Sequence, residues 1–156
     1  TRTGRVFTGD KSSDFLYKCL HKAKISNQSN SDHVNDGLKL NKAYITTALK
    51  CVPPEDKPLK KELDNCSRFF NQEIKFLSNV KTIVALGKIA FDACKYFYQK
   101  EFCLDKKIKF GHGKIYKLEN GISLVGCYHP SPRNVNTGRI NEKKMVSLFN
   151  KIKKIN

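Results

Sequence analysis

Residues 81–99 read KTIVALGKIAFDACKYFYQ, and this stretch carries the pattern that decides the fold. It opens with a short apolar run that ends at Gly87, after which the apolar residues recur at helical spacing. The residues at helical spacing are Ile89, Ala90, Ala93, Cys94 and Phe97. The order predicts a strand over 81–87, a tight turn, and a helix over 88–99.

A hairpin and a last helix are predicted after this unit. The strand-like segments 114–118 (KIYKL) and 122–129 (ISLVGCYH) flank an Asn-Gly dipeptide, which is a strong hairpin signal. A helix is then expected from about Asn141, its N-cap, with Met145, Leu148, Phe149 and Ile152 facing inward.

Four elements are predicted before residue 81. Residues 13–24 have the apolar spacing of an amphipathic helix, and the polar stretch 26–37 is typical of a surface loop. Residues 43–49 (AYITTAL) favour a strand, and residues 58–78 favour a long helix. Strands that alternate with helices predict a layered α/β fold whose sheet is at least partly parallel.

The chain has 156 residues, which is the size of one compact domain, so we expect a single domain over 1–156. The sequence has thirty Lys and Arg but only fourteen Asp and Glu, which gives a net charge of +16 spread along the chain. This excess favours a polyanionic partner, although surface lysines of a heat-adapted protein would give the same balance. A membrane span is excluded because no apolar run approaches the roughly 20 residues that one requires.

Residues 128–139, YHPSPRNVNTGR, follow a predicted strand and precede the last helix. Sites in open α/β sheets lie beyond the carboxyl ends of strands, and this segment combines rigid prolines with hydrogen-bonding side chains. His129 offers a donor that can stay neutral near pH 7, while Arg133 and Arg139 can meet phosphate. A rigid turn with an incidental histidine is the alternative.

That segment occurs in order with TGRVFTGD (3–10), YITTALKCVPPEDKP (44–58) and VALGKIAFDA (84–93). Together they resemble the uracil-DNA glycosylase superfamily, most closely the family 5 (B-type) enzymes. The resemblance implies a DNA-repair enzyme that hydrolyses the N-glycosidic bond of uracil in DNA. It also implies a three-layer α/β/α fold around a mostly parallel sheet of about four strands.

The resemblance assigns roles to three residues. His129 matches the histidine that donates a hydrogen bond to uracil O2, and Phe7 matches the aromatic residue that stacks on the flipped base. A strand-end histidine and an ordinary core phenylalanine are the structural alternatives. Asp10 is a catalytic candidate that could orient a water or support charge on the sugar, but its position before two serines favours a helix N-cap.

Base selection and DNA contact fall to five further residues. Related glycosylases carry Asn where this chain has Thr47, so a range of deaminated bases broader than uracil becomes plausible, unless Thr47 is a plain strand residue. Asn134 is a further candidate for base contact. Ser131, Arg133 and Arg139 are the candidates for DNA contact.

Cys51 and Cys66 match the third and fourth ligands of the [4Fe–4S] cluster of this family. Such a cluster needs four thiolates, and the first two ligands and the first strand precede the region that this chain resembles. Because the chain also starts at Thr1 rather than Met, we expect it to be a piece of a longer protein, without the N-terminal segment, rather than a decayed enzyme. Buried small hydrophobic roles are expected for the remaining cysteines, Cys19, Cys94, Cys103 and Cys127.

The expected partner is DNA containing uracil or other deaminated bases. We expect the protein to bind it as a monomer, at the nucleoid in a reducing cytoplasm, and to have no membrane partner. The alternative is a basic α/β module that binds nucleic acid without catalysis, or an inactive fragment of a glycosylase. A glycosylase assay on a uracil-containing oligonucleotide separates these functions.

Overall fold

The computed structural model describes residues 3–50, 58–102 and 107–155, and these form five helices and three strands. The helices are α1 (Lys11–Lys22), α2 (Lys60–Phe76), α3 (Lys88–Phe102), α4 (Pro132–Asn136) and α5 (Glu142–Ile155). The strands are β1 (Thr82–Leu86), β2 (Ile115–Lys117) and β3 (Ser123–Cys127). The α/β class is therefore confirmed.

The three strands form one mixed sheet in the order β1-β3-β2. β1 and β3 are parallel, with Thr82 opposite Ser123 and Leu86 opposite Cys127. β2 and β3 form the antiparallel hairpin that the Asn-Gly dipeptide predicted. Gly87, at a φ of 97°, turns the chain from β1 into α3, and its N–H donates to the carbonyl of Cys127 at 2.7 Å.

The predicted strand over 43–49 is wrong, because this stretch forms no strand in the structure. Its β-branched and aromatic residues fit a pleated surface, but such residues form a strand only where a neighbouring strand supplies the hydrogen bonds. Tyr44 is instead 58% exposed. The described part of the chain thus has three strands rather than about four.

Backbone contacts divide the chain into two compact units. Unit 1 comprises the residues up to Thr46 and from Tyr128 onward, and unit 2 comprises Thr47 to Cys127. Whether the two units act as the single domain expected from chain length stays a prediction.

Unit 2 contains the three-stranded sheet and the helices α2 and α3. Its core is an apolar cluster in which α3 supplies Phe91, Cys94, Phe97 and Tyr98, and the strands supply Ala85 and Leu124. Edge-to-face ring pairs tighten this core, including Phe97 with Tyr98 at a centroid distance of 4.9 Å.

Unit 1 is built on α1 and α5, which pack against each other. Leu16, Tyr17, Cys19 and Leu20 of α1 are buried, and so are the four residues of α5 predicted to face inward, Met145, Leu148, Phe149 and Ile152. Asn141 caps α5 as expected, since its Oδ1 accepts the N–H of Lys144 at 2.9 Å. None of the helices described has the length and apolar character that crossing a bilayer would take.

Gly126 is the fourth of the five residues of β3, the middle strand of the sheet, and it meets the segment before β2. A Cβ atom at this position would lie 2.4 Å from the backbone oxygen of Gly111, which is too close for any real contact. Gly113 nearby donates its N–H to the carbonyl of Gly126 at 2.8 Å, and the space beside Gly113 is open. The sheet therefore requires a glycine at 126.

We expect Gly126→Ala to lower the free energy of unfolding by about 3 kcal/mol or more, because two backbone segments would have to separate. Gly113→Ala is the matched control, since it meets only the cost of a positive φ, about 1 kcal/mol. Denaturant unfolding followed by circular dichroism measures both. Equal losses would show that the close approach at Gly126 does not constrain the sheet.

Candidate active site

The segment after β3 carries His129 and is held in shape by its own hydrogen bonds. The Asn134 side-chain amide donates to the backbone oxygen of His129 at 2.9 Å. Ser131 caps the short helix α4, accepting the N–H of Asn134 at 3.4 Å, and Pro132 occupies the first helical position. Pro130 is fully buried. The backbone on both sides of the His129 ring is therefore braced.

Phe7 lies beside His129 within unit 1. The two ring centroids are 5.7 Å apart and the ring planes meet at 68°. Phe7 has a φ of 52°, in the left-handed region that a bulky residue rarely adopts. The structure therefore brings together the two residues that the resemblance implied would meet the base.

The environment of His129 favours the neutral imidazole. The ring is half-buried, and burial lowers the pKa of His129 below its ordinary value of 6.5, while the nearby charge of Asp10 acts in the opposite direction. Within the described residues, neither ring nitrogen has a hydrogen-bond partner. The imidazole is thus a neutral group that has a free donor to offer a ligand.

Asp10 forms the N-cap predicted for it. Its Oδ1 accepts the N–H of Ser13 at 2.7 Å, and the Ser13 hydroxyl accepts the N–H groups of Asp10 at 3.0 Å and Gly9 at 3.1 Å. This is a capping box in which serine takes the place of the usual Glu or Gln. The carboxylate both begins α1 and places a negative charge near His129.

The polar stretch 26–37 is a loop, as predicted, but it also holds the Phe7 segment. Arg5 donates to both carboxylate oxygens of Asp36 at 2.8 Å each, and to the hydroxyl of Ser31 at 2.9 Å. The Thr8 and Ser31 hydroxyls lie 2.7 Å apart. Sequence reasoning missed these partners because the stretch has no periodicity, and the only signal was a pair of acidic residues, Asp32 and Asp36, among Asn and Ser.

The other predicted site residues are placed as follows. Arg133 and Arg139 are exposed, and their contact with phosphate stays a prediction. The Asn134 side-chain amide is committed to the backbone of His129, so a contact of this residue with the base stays a prediction. Thr47 is half-buried in unit 2, and its role in base selection also stays a prediction.

The cysteines of the described residues do not assemble a four-thiolate site. Burial raises the pKa of the Cys19 thiol to about 11 and that of Cys94 to about 12, which favours neutral thiols over metal-binding thiolates. Cys66 is buried and its Sγ accepts the N–H of Lys50 at 3.5 Å, one residue before Cys51. Cys51 and Cys103 lie outside the described residues.

Metal-ligand geometry is likewise missing from residues 3–50, 58–102 and 107–155. No group of three or more His, Cys, Asp or Glu side chains in these ranges could hold a metal ion. The cysteines that the structure describes therefore do not fit a [4Fe–4S] cluster by themselves.

A basic recess lies elsewhere on unit 1, along the outward side of α5. It has a volume of about 650 Å³, and its lining includes Lys143, Lys151 and Lys154. Neither Phe7 nor His129 lines it. This recess is therefore a charged surface of unit 1 and not the site formed by the two rings.

The sequence of nearly the whole chain matches a known class of protein. The model of the Uracil DNA glycosylase superfamily matches residues 1–153. The chain belongs to this superfamily.

Individual relatives give the same result. The type-5 uracil-DNA glycosylases of Mycobacterium bovis and Thermus thermophilus are each 39% identical over 155 residues, 99% of this chain. The type-4 uracil-DNA glycosylase of Archaeoglobus fulgidus is 28% identical over 99 residues, 61% of this chain and 48% of that protein. The chain spans 57% of the length of the Mycobacterium relative and 68% of the Thermus relative.

The His129 imidazole should titrate below 6.5, because burial disfavours its charged form. Asp10→Asn should lower the pKa of His129 further, since it removes the nearby negative charge, while asparagine keeps the helix cap. Proton-detected NMR titration of the histidine rings measures both values. A His129 pKa at or above 6.5, or no change in Asp10→Asn, would contradict the described environment.

Proposed function

We propose that this chain carries the base-releasing site of a uracil-DNA glycosylase, which hydrolyses the N-glycosidic bond of uracil in DNA. The observation that carries the proposal is the pairing of Phe7 with His129 at 5.7 Å. That distance is short enough for one planar base to contact both side chains. The names of the relatives that match nearly the whole chain support the same activity.

Phe7 supplies binding that is independent of base identity. A base inside a duplex must leave the stack before its glycosidic bond can be reached, and unstacking costs free energy. An aromatic ring that stacks on the extruded base recovers part of that cost. The left-handed backbone at Phe7 holds this ring beside His129 before any base arrives.

His129 supplies the stabilisation of charge. As the glycosidic bond breaks, negative charge builds up on the base and positive charge on the sugar. A neutral imidazole that donates its N–H to uracil O2 strengthens its hydrogen bond as that charge develops, so it stabilises the transition state more than the bound substrate. The lowered pKa of His129 keeps the group neutral at physiological pH.

Asp10 is the carboxylate near this histidine. One of its carboxylate oxygens accepts the Ser13 N–H and so caps the helix. Its charge lies close enough to His129 to raise the pKa of that residue. We infer that the same charge supports the positive sugar or orients the attacking water. Thr47 and Asn134 are proposed to contact the base edge, and a hydroxyl at 47 would read uracil less strictly than an amide, which extends the substrates to other deaminated bases.

DNA binding is proposed to come from the positive charge of the chain. Ser131, Arg133 and Arg139 lie close to His129 in sequence, and both arginines are exposed. They would neutralise phosphates beside the flipped nucleotide, which gives binding that depends on salt and not on sequence. We expect a monomer bound to DNA at the nucleoid.

The finer architecture is part of this proposal. We infer a three-layer α/β/α arrangement in which a further strand completes a mostly parallel sheet of about four. Cys66 and Cys51 are proposed as two ligands of a [4Fe–4S] cluster. The support is that the Cys66 Sγ accepts the backbone N–H of Lys50, the residue before position 51. Two more thiolates are needed, the described cysteines do not supply them, and no step above depends on a cluster.

Replacing His129 should slow the chemical step. His129→Ala should reduce single-turnover release of uracil by roughly 10²–10³-fold, the scale for losing one donor at a developing charge. DNA affinity should fall far less, because phosphate contacts supply most of it. A uracil-containing oligonucleotide cleaved with alkali at the abasic site reports the rate.

The matched control is His21→Ala, which removes an exposed histidine at the end of α1. It should leave the rate unchanged. Normal base release by folded His129→Ala would overturn the assignment of His129. A wild-type protein that binds DNA and releases no base would favour the alternative, a binding module without catalysis.

Binding to DNA should weaken steeply with salt, because a net charge of +16 favours the release of several counterions. Arg133→Gln should reduce the slope of log affinity against log salt by about one. Lys22→Gln removes the same charge from a lysine already paired with Glu142 and should leave the slope nearly unchanged. A wild-type slope near zero would mean that the charge serves solubility alone.

A further inference from the structure

We propose that Asp36 is a positioning residue for base release: acting through Arg5, it holds the left-handed backbone that aims the Phe7 ring at the base beside His129. This inference rests on the proposed function, because Phe7 matters to the reaction only if a base stacks on it. It assigns a role to the polar loop 26–37, which the site does not otherwise use.

The ion pair between Arg5 and Asp36 has the geometry of a strong one. The Nη1 and Nη2 atoms of Arg5 each lie 2.8 Å from a carboxylate oxygen of Asp36, so the pair is bidentate. The two side chains are only 18% and 7% exposed. The Arg5 guanidinium holds the pKa of the Asp36 carboxyl well below its usual range, which favours the charged carboxylate.

Asp36 is itself held in place by the loop backbone. Its carboxylate accepts the N–H groups of Asp32 at 2.8 Å, His33 at 3.4 Å and Leu38 at 2.9 Å. These bonds fix the orientation of the oxygens that accept from Arg5. The loop therefore presents a rigid carboxylate rather than a solvated one.

Arg5 also makes two bonds to other parts of the same loop. It donates to the Ser31 hydroxyl at 2.9 Å and to the backbone oxygen of Val34 at 3.2 Å. The N–H of Val34 in turn donates to the carbonyl of Thr3 at 2.9 Å. The chain just before Phe7 is thus bound to the loop at several points.

The chain just after Phe7 is bound on the other side. The Thr8 hydroxyl lies 2.7 Å from that of Ser31, and the N–H groups of Gly9 and Asp10 donate to the Ser13 hydroxyl of α1. Phe7 is the residue between these two sets of bonds. Its φ of 52° is strained for an aromatic residue, and such strain persists only where the surroundings determine the conformation.

Loss of the ion pair should therefore release Phe7 toward an ordinary backbone conformation. The ring would move away from the position 5.7 Å from His129, and the histidine would become more exposed to water. Small displacements of a positioning group are costly to the rate, because the reacting geometry is no longer prepared in advance.

Asp36→Asn is the direct test, and Glu142→Gln is its matched control. Both replace a carboxylate of unit 1 with an amide and change the net charge equally, but Glu142 pairs with Lys18 and Lys22 instead. We expect Asp36→Asn to slow single-turnover base release by about 10- to 100-fold and Glu142→Gln to leave it unchanged.

A double-mutant cycle shows whether the effect passes through Phe7. In a Phe7→Leu background, Asp36→Asn should slow base release by less than twofold, because the ring that it positions is gone. An undiminished effect of Asp36→Asn in that background would overturn the proposal. Should Asp36→Asn fail to fold, Arg5→Lys makes the same test, since an ammonium cannot form the two parallel bonds.

NMR titration of His129 gives a readout that does not require catalysis. In Asp36→Asn the pKa of His129 should rise toward 6.5 as the ring becomes exposed, whereas the loss of a negative charge alone would lower it. Glu142→Gln should give no rise. A rise in Asp36→Asn together with an inactive wild type would refute the proposed function and leave the positioning intact; no rise and a normal rate would refute the positioning.

Discussion

The bidentate ion pair between Arg5 and Asp36 is the interaction on which the candidate site depends. It joins the segment before α1 to a loop that has almost no regular structure, and that segment carries Phe7, whose ring centroid lies 5.7 Å from that of His129. A charged pair suits this task because its geometry is directional and most of it is shielded from water. Two more hydrogen bonds join the same two segments: the Val34 N–H donates to the carbonyl of Thr3, and the Thr8 and Ser31 hydroxyls bond to each other.

Three of the five acidic residues of unit 1 have specific structural roles in a strongly basic chain. Asp10 caps α1, Asp36 binds Arg5, and Glu142 at the start of α5 pairs with Lys18 and Lys22 of α1. Hydrogen bonding to Lys22 lowers the pKa of Glu142, which favours its charged form. These three carboxylates are thus used in pairs and a cap, while Arg133 and Arg139, which follow His129 in the sequence, are exposed.

Local chemistry made most of the elements predictable. Asn120-Gly121 forces a tight reversal between two apolar segments, and the hairpin follows; Asn141 satisfies a free N–H at the start of α5. The strand predicted over 43–49 failed because strand propensity describes a fit to a neighbouring strand, and no strand among the described residues pairs with it. Capping by Asp10 was predictable because the bond spans only three residues.

The sequence by itself determined the α/β class and the family resemblance, and it predicted His129 and Phe7 as partners of a base, because these depend on residue order and on short-range spacing. Only the tertiary structure decided how the two rings meet and what holds them. Arg5 and Asp36 are 31 positions apart in the chain, and no periodic pattern connects residues so distant. Their contact exists because the loop after α1 folds back onto the segment before it, and that return is set by packing and long-range hydrogen bonds.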